Sequence, residues 1–167
     1  CIRDRESTHA LAEACALDPA ADLGWGRPTV PEACVLGISA HPGRELRERV
    51  LAGLAERYPR LCTSTGFVTA RPGRELEERM EHELRIIERL GFAGYFLTVA
   101  EAVSLIESLG VRVAARGSGA SSLVNHALRI SAVDPMAHGL IMERFLSERR
   151  STLPDIDIDV ELSLIHI

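Results

Sequence analysis

Between residues 71 and 91 the apolar positions Leu76, Met80, Leu84, Ile87 and Leu90 recur at i, i+4, i+8, i+11 and i+14, with glutamate and arginine between them. That spacing draws one stripe along a helix, and Gly91 supplies a stop. The same reasoning predicts a helix over residues 44–57, with Leu46, Val50, Leu51 and Leu54 on one side and Tyr58-Pro59 closing it. A third takes Phe96, Val99, Val103 and Ile106 and ends at Gly110. Core packing accounts for all three stripes. Upstream, residues 6–17 read as a short helix carrying Leu11 and Cys15. Residues 18–43 hold Pro19, Pro28, Pro31 and Pro42 and read as an extended linker. A second loop follows Tyr58 and runs to Pro72-Gly73.

The pattern changes after Gly110. Val111-Arg112-Val113-Ala114 is a short β-like run leading into Arg116-Gly117-Ser118-Gly119-Ala120-Ser121-Ser122. A helix carrying Leu123, Val124, Ala127 and Leu128 follows, then a turn at Asp134-Pro135 and a helix over about residues 138–147. Asp155-Ile156-Asp157-Ile158-Asp159-Val160 reads as a strand by alternation and β-branching. The fold class is therefore a mixed, helix-rich α/β domain, with no internal repeat.

Composition narrows the function. With 167 residues, 46% of them hydrophobic, the chain suffices for one domain with a real core. Net charge is −5, whereas nucleic-acid-binding domains usually carry a basic excess. A self-sufficient DNA-binding module is disfavoured; a domain whose DNA grip lies elsewhere in a longer chain is not. All 19 basic residues are arginine. Without lysine, Schiff-base chemistry and a P-loop are excluded. Cys1, Cys15, Cys34 and Cys62 show neither C-x-x-C pairing nor zinc spacing and read as free thiols. His41, His82, His126 and His138 are scattered without ligand spacing, although His126 follows the glycine-serine run closely enough to approach a ligand there. Aromatics at 4% are too few for single-strand binding by stacking. No apolar run approaches the roughly 20 residues that span a bilayer, and no signal-peptide pattern opens the chain, so a cytoplasmic, membrane-free protein is expected. Residues 1–5 and 162–167 resemble translated adaptor sequence and are set aside as non-native ends of a piece of a longer protein.

The aspartate strand carries the strongest chemical signal. Alternate side chains of a strand share a face, so Asp155, Asp157 and Asp159 are expected on one side and Ile156, Ile158 and Val160 on the other. Like-charged carboxylates at this spacing attract divalent cations, and hard oxygen ligands favour Mg²⁺ or Mn²⁺. An EF-hand is disfavoured, because isoleucines fill the intervening positions and no glycine follows at the sixth. A solvated acidic face remains the plainer alternative. The order strand, G-S-G-A-S-S, helix presents backbone N–H groups and hydroxyls to a phosphate, with Arg116 adding a fixed charge. An ordinary turn capping a helix is its alternative. Together the two features match nucleotidyl or phosphoryl transfer assisted by two metals.

Several ordered motifs carry a family resemblance. Gly91-Phe92-Ala93-Gly94-Tyr95-Phe96-Leu97, the run Arg116-Gly117-Ser118 through Ser122-Leu123-Val124, Asp134-Pro135, Glu143-Arg144-Phe145-Leu146 and Pro154-Asp155-Ile156-Asp157-Ile158-Asp159 resemble the catalytic alpha subunit of bacterial DNA polymerase III. The resemblance covers roughly residues 30–161. It implies a polymerase-β-like nucleotidyltransferase palm over residues 31–161, truncated, with residues 6–30 as the exit from an upstream PHP domain. It implies that Asp157 and Asp159 are two of three metal-binding carboxylates, the third lying further along than residue 167. Asp155 belongs to the motif without an assigned role. Arg116, Gly117, Ser118 and Arg150 would contact the nucleotide, and Mg²⁺, replaceable by Mn²⁺, would be the cofactor. Primer-template DNA and a dNTP would be the substrates; a sliding clamp and other holoenzyme subunits would bind through regions absent here. The fragment alone is expected to be inactive. Ala114-Ala115, Asn125-His126, Ser147-Glu148-Arg149-Arg150 and Val160 depart from the family pattern; Asn125 stands where a small residue is usual. These departures suggest a divergent paralogue, of the error-prone translesion type, with the replicative type left open. A template-independent nucleotidyltransferase and a degenerate palm kept as a scaffold are the rival readings.

Overall fold

The computed structural model describes residues 2–18, 21–22, 37–38, 41–63, 66–147 and 153–161. Helix α1 (Ile2–Ala14) starts four residues before its expected start; from Arg5 on it is exposed and adds nothing to the core. Most of the proline-rich stretch 18–43, residue 1 and residues 162–167 lie outside the described residues. Cys15 and Cys62 are free thiols, as the spacing predicts; Cys1 and Cys34 lie outside the described residues.

Three helices build the body: α2 (Pro42–Arg57), α3 (Arg71–Arg89) and α4 (Ala93–Ser108). Pro42 and Pro72 sit in first turns, where the missing N–H costs nothing. Gly91 (φ 72°) and Gly110 (φ 73°) take the left-handed conformation that ends α3 and α4. The expected stripes form the core, except that Leu51 is exposed and Leu90, Val99 and Ile106 are only half-buried. Leu46, Val50 and Leu54 of α2 meet Leu76, Met80, Leu84 and Ile87 of α3 and Phe96 and Leu97 of α4, all buried. Each such side chain contributes about 1.5–3 kcal/mol by leaving water. Arginine ties the helices at the rim: Arg47 forks onto Glu81 with contacts of 2.5 and 2.6 Å, and Arg49 bridges Glu45 and Glu101.

Short elements cover this body. Strands β1 (Cys62–Thr63) and β2 (Gly66–Phe67) pair antiparallel within the stretch expected to be loop. Strand β3 (Val113–Arg116) lies two residues beyond its expected place and enters a 3₁₀ turn at Gly117–Ser121, followed by α5 (Leu123–Ala127). The helix expected over 138–147 is only a 3₁₀ turn at Met142–Arg144. Gly139 (φ 58°) interrupts any helix there, and Met142, Phe145 and Leu146 go into the core from the turn. Strand β4 spans Asp157–Val160, so Asp155 precedes the strand, and Val160, expected inward, is exposed at its end.

Strands β3 and β4 pair antiparallel with Arg116 opposite Asp157, Ala115 opposite Ile158, Ala114 opposite Asp159 and Val113 opposite Val160. A second, smaller core of Ala100, Val103, Ala115 and Ile130, with Ile156 and Ile158 against it, seats this ribbon on α4.

Helix α2 approaches α5 so closely that a Cβ on Gly53 would stand 2.0 Å from the Ala127 carbonyl oxygen. Gly53→Ala is therefore expected to destabilise the chain by about 2 kcal/mol, read as a lower urea midpoint at unchanged slope.

Candidate active site

The ribbon brings the two sequence signals together. Because Arg116 lies opposite Asp157, the glycine-serine turn emerges directly beside the aspartate strand. Gly117 is left-handed (φ 70°), and a Cβ there would lie 3.6 Å from Asp157 Oδ2. Alternation places Arg116, Asp157 and Asp159 on one face, all exposed, and Ile158 with Ala115 on the other. Arg116 Nε contacts Asp159 Oδ1 at 3.1 Å. Both groups are about two-thirds exposed, so this pair is screened and readily exchanged for other partners. The strand's approach is fixed from α4, where the Tyr95 hydroxyl donates to the Pro154 carbonyl at 2.9 Å.

The turn also lines a cavity of about 450 Å³, through Gly117, Ser118, Ala120 and Ser121, together with Gly139, Leu140, Ile141 and Arg144. Arg116 faces the aspartates and is not part of this lining. Arg144 is; no role is legible for it in the residues alone, beyond its place in the Glu143-Arg144-Phe145-Leu146 motif. A larger groove of about 800 Å³ runs past the far ends of the two strands and reaches Asp159 but not the turn. Arg150 lies outside the described residues.

A buried layer supports the turn. Glu83 of α3 is fully buried and accepts from the Ser122 hydroxyl (2.8 Å), the Leu123 amide (3.0 Å), the Val124 amide (3.1 Å) and Arg79 Nε (2.6 Å). Ser122 in turn caps α5 by accepting from the Asn125 amide at 3.2 Å. Carbonyls of the turn are also held: Arg79 donates to Ser121 (3.1 Å), Asn125 Nδ2 to Gly119 (2.9 Å) and the Ser121 hydroxyl to Ser118 (2.7 Å).

His126 does not approach the turn's cavity. It is 5% exposed, lies edge-on to Tyr58 at 5.8 Å between centroids, and its Nδ1 is 3.2 Å from the Ser131 carbonyl oxygen. Burial, reinforced by Arg57, holds its pKa below the usual 6.5. The Tyr58 hydroxyl donates to Asp134 at 2.6 Å, and the Met136 and Ala137 amides donate to the same oxygen. Burial alone would raise the Asp134 pKa, but these donors outweigh it and hold it below 3.8. Both depressed values mean that the unfolded chain binds more protons on acidification, so stability falls with pH. A first loss should begin below about 6.5 from His126 and a second below about 3.8 from Asp134. His126→Phe should remove the first step and keep the second, as read from unfolding midpoints across pH.

A divalent cation fits this donor set in kind and not in number. Asp157 and Asp159 offer hard carboxylate oxygens on one exposed face, but among the described residues no three His, Cys, Asp or Glu side chains converge on one point. A complete site needs a further ligand. Among the described residues no single helix is long and apolar enough to cross a membrane.

Comparison with known proteins places the chain in a family. The model of the bacterial DNA polymerase III alpha NTPase domain matches residues 44–163, and the chain belongs to that family. The chain is 43% identical to an error-prone DNA polymerase of Nocardia farcinica over 154 residues, covering 91% of this chain and 12% of that protein. It is 44% identical to a DNA polymerase III subunit alpha of Mycobacterium tuberculosis over 117 residues, covering 70% of this chain and 9% of that one. An error-prone DNA polymerase of Symbiobacterium thermophilum is 43% identical over 122 residues, 73% of this chain and 10% of its own. The chain thus spans about a tenth of the length of the curated relatives it matches.

Proposed function

We propose that this segment is part of the palm of a cytoplasmic, template-directed DNA polymerase, related in fold to the polymerase-β-like nucleotidyltransferases. The observation that carries the reading is the β3–β4 register, which sets Gly117, the start of the glycine-serine turn, against Asp157. A phosphate-binding turn and a carboxylate face side by side are the two parts that phosphoryl transfer needs. Ser118 and Arg144 would hold the triphosphate of a dNTP in the cavity between them. Asp157 and Asp159, with a third carboxylate from elsewhere in the protein, would hold Mg²⁺. Bound there, the metal supplies charge neutralisation and activation of a primer 3′-hydroxyl. Arg116, paired with Asp159 in the free protein, would turn toward the phosphates once a cation takes the carboxylate. The segment alone, lacking the third ligand and the main DNA grip, should not extend a primer. Relatives of both the replicative and the error-prone kind match at similar identity, so the residues of this segment favour neither.

The test is primer extension with Mg²⁺ by the full-length polymerase carrying this segment, against the Asp157→Ala, Asp159→Ala double variant. Template-directed extension that disappears in the variant supports the reading. Extension that survives moves the active site away from these residues.

A further inference from the structure

The glycine-serine turn contains a second glycine whose freedom has to be restrained by something. Gly119 is not left-handed, so its backbone is open to any residue. It is also buried, wedged against Asn125, Phe145 and Ile156, with the Asn125 Nδ2 nearest to where a Cβ would sit, at 3.4 Å. Glycine in such a conformation brings extra backbone entropy and nothing in return. Asn125 is fully buried beneath it; Nδ2 donates to the Gly119 carbonyl at 2.9 Å, while Oδ1 has no partner among the described residues. An orphaned buried amide oxygen costs about 1–3 kcal/mol. Fold stability alone therefore does not explain why an asparagine stands here.

We propose that Asn125 is a positioning residue for the nucleotide, pinning Gly119 so that Gly117 and Ser118 stay in place beside Asp157 and the cavity. The proposal rests on the polymerase reading given above. The Gly119 carbonyl accepts from Asn125 on one side and from the Ser122 amide on the other, at 3.3 Å. Held at both points, the turn keeps that carbonyl directed at the protein and away from an anionic ligand. The same restraint could be supplied covalently by a Cβ at position 119, since the conformation is an ordinary one.

The experiment is steady-state dNTP incorporation by the full-length polymerase, with thermal unfolding measured alongside. Asn125→Ala should raise the KM for dNTP about three- to tenfold, the worth of one hydrogen bond. Its kcat should stay within about twofold and its Tm should not fall, because the orphaned oxygen leaves together with the bond. Adding Gly119→Ala to that variant, where the space left by the amide admits the Cβ, should return KM toward the parent value. A merely structural asparagine would move Tm and leave KM alone. An unchanged KM in Asn125→Ala, or a raised KM that Gly119→Ala does not reverse, overturns the proposal. The Asp157→Ala, Asp159→Ala variant in the same assay separates the two ideas. If it still extends primers, the site assignment fails; if it is dead while Asn125→Ala has a normal KM, only the role of Asn125 fails.

Discussion

On the proposed polymerase reading, Asp157→Ala in the full-length protein should lower primer extension roughly a thousandfold, the effect of losing several kcal/mol of charge stabilisation around the transferring phosphoryl group. Stability should barely change. Asp157 is exposed, and surface substitutions of this kind stay within about 0.5 kcal/mol. Removing one of two like charges from a strand face also relieves repulsion. Asp159→Ala should cost as much activity but leaves a different trace, because it releases Arg116 from its 3.1 Å contact. A free arginine beside the turn would bind anions without promoting chemistry, so KM for dNTP should rise far less than kcat falls. Asp157→Asn separates charge from shape. It keeps the side chain's size against Gly117 and should be nearly as inactive as alanine. Activity in the asparagine variant within tenfold of the parent would show that the carboxylate charge is dispensable and would sink the assignment.

How far the sequence announced this site depends on which forces shape each part. The stripes of α2, α3 and α4 were legible because a helix that buries one face must repeat its apolar residues near 3.6. The aspartate strand was legible from its period of two, and the glycine-serine run from its composition. Their pairing was not legible, since the register follows from Ile158 and Ala115 settling on Val103 and Ala100, a tertiary event. The helix expected at 138–147 failed for the same reason in reverse. Leu140, Ile141, Met142, Phe145 and Leu146 imitate a periodic run, but Gly139 breaks the backbone, and the core takes only Met142, Phe145 and Leu146 while Ile141 stays exposed. The β1–β2 pair was missed because two-residue strands carry no measurable alternation. Arg144 could not be placed without the turn that swings it to the cavity. Glu83 is the instructive omission. It sits three residues after Met80 and four before Ile87, on the buried stripe itself, and a charge there was a signal available in the sequence.

That residue sets the largest stability effect. Glu83→Gln should destabilise the chain by about 3 kcal/mol, the scale for breaking a buried charge pair by altering one partner. One carboxylate oxygen accepts from Arg79 Nε and the Leu123 amide; the other accepts from the Ser122 hydroxyl and the Val124 amide. Glutamine has the same shape but offers one oxygen and one NH₂. Whichever way the amide turns, its NH₂ faces a backbone N–H and a second donor, and both lose their acceptor in a site sealed from water. Arg79, 19% exposed, can turn to solvent; the Leu123 and Val124 amides cannot. The loss should therefore be concentrated at the start of α5. Hydrogen exchange should show Leu123 and Val124 losing protection while Leu84 and Ile87 in the middle of α3 keep theirs. The urea midpoint should fall at unchanged slope. Ser122→Ala combined with Glu83→Gln should cost less than the sum of the two single changes, because both act on one network. Additive costs, or a midpoint that does not move, would mean that α5 is held by its packing on α2 and α3 and that the glycine-serine turn does not depend on the carboxylate beneath it.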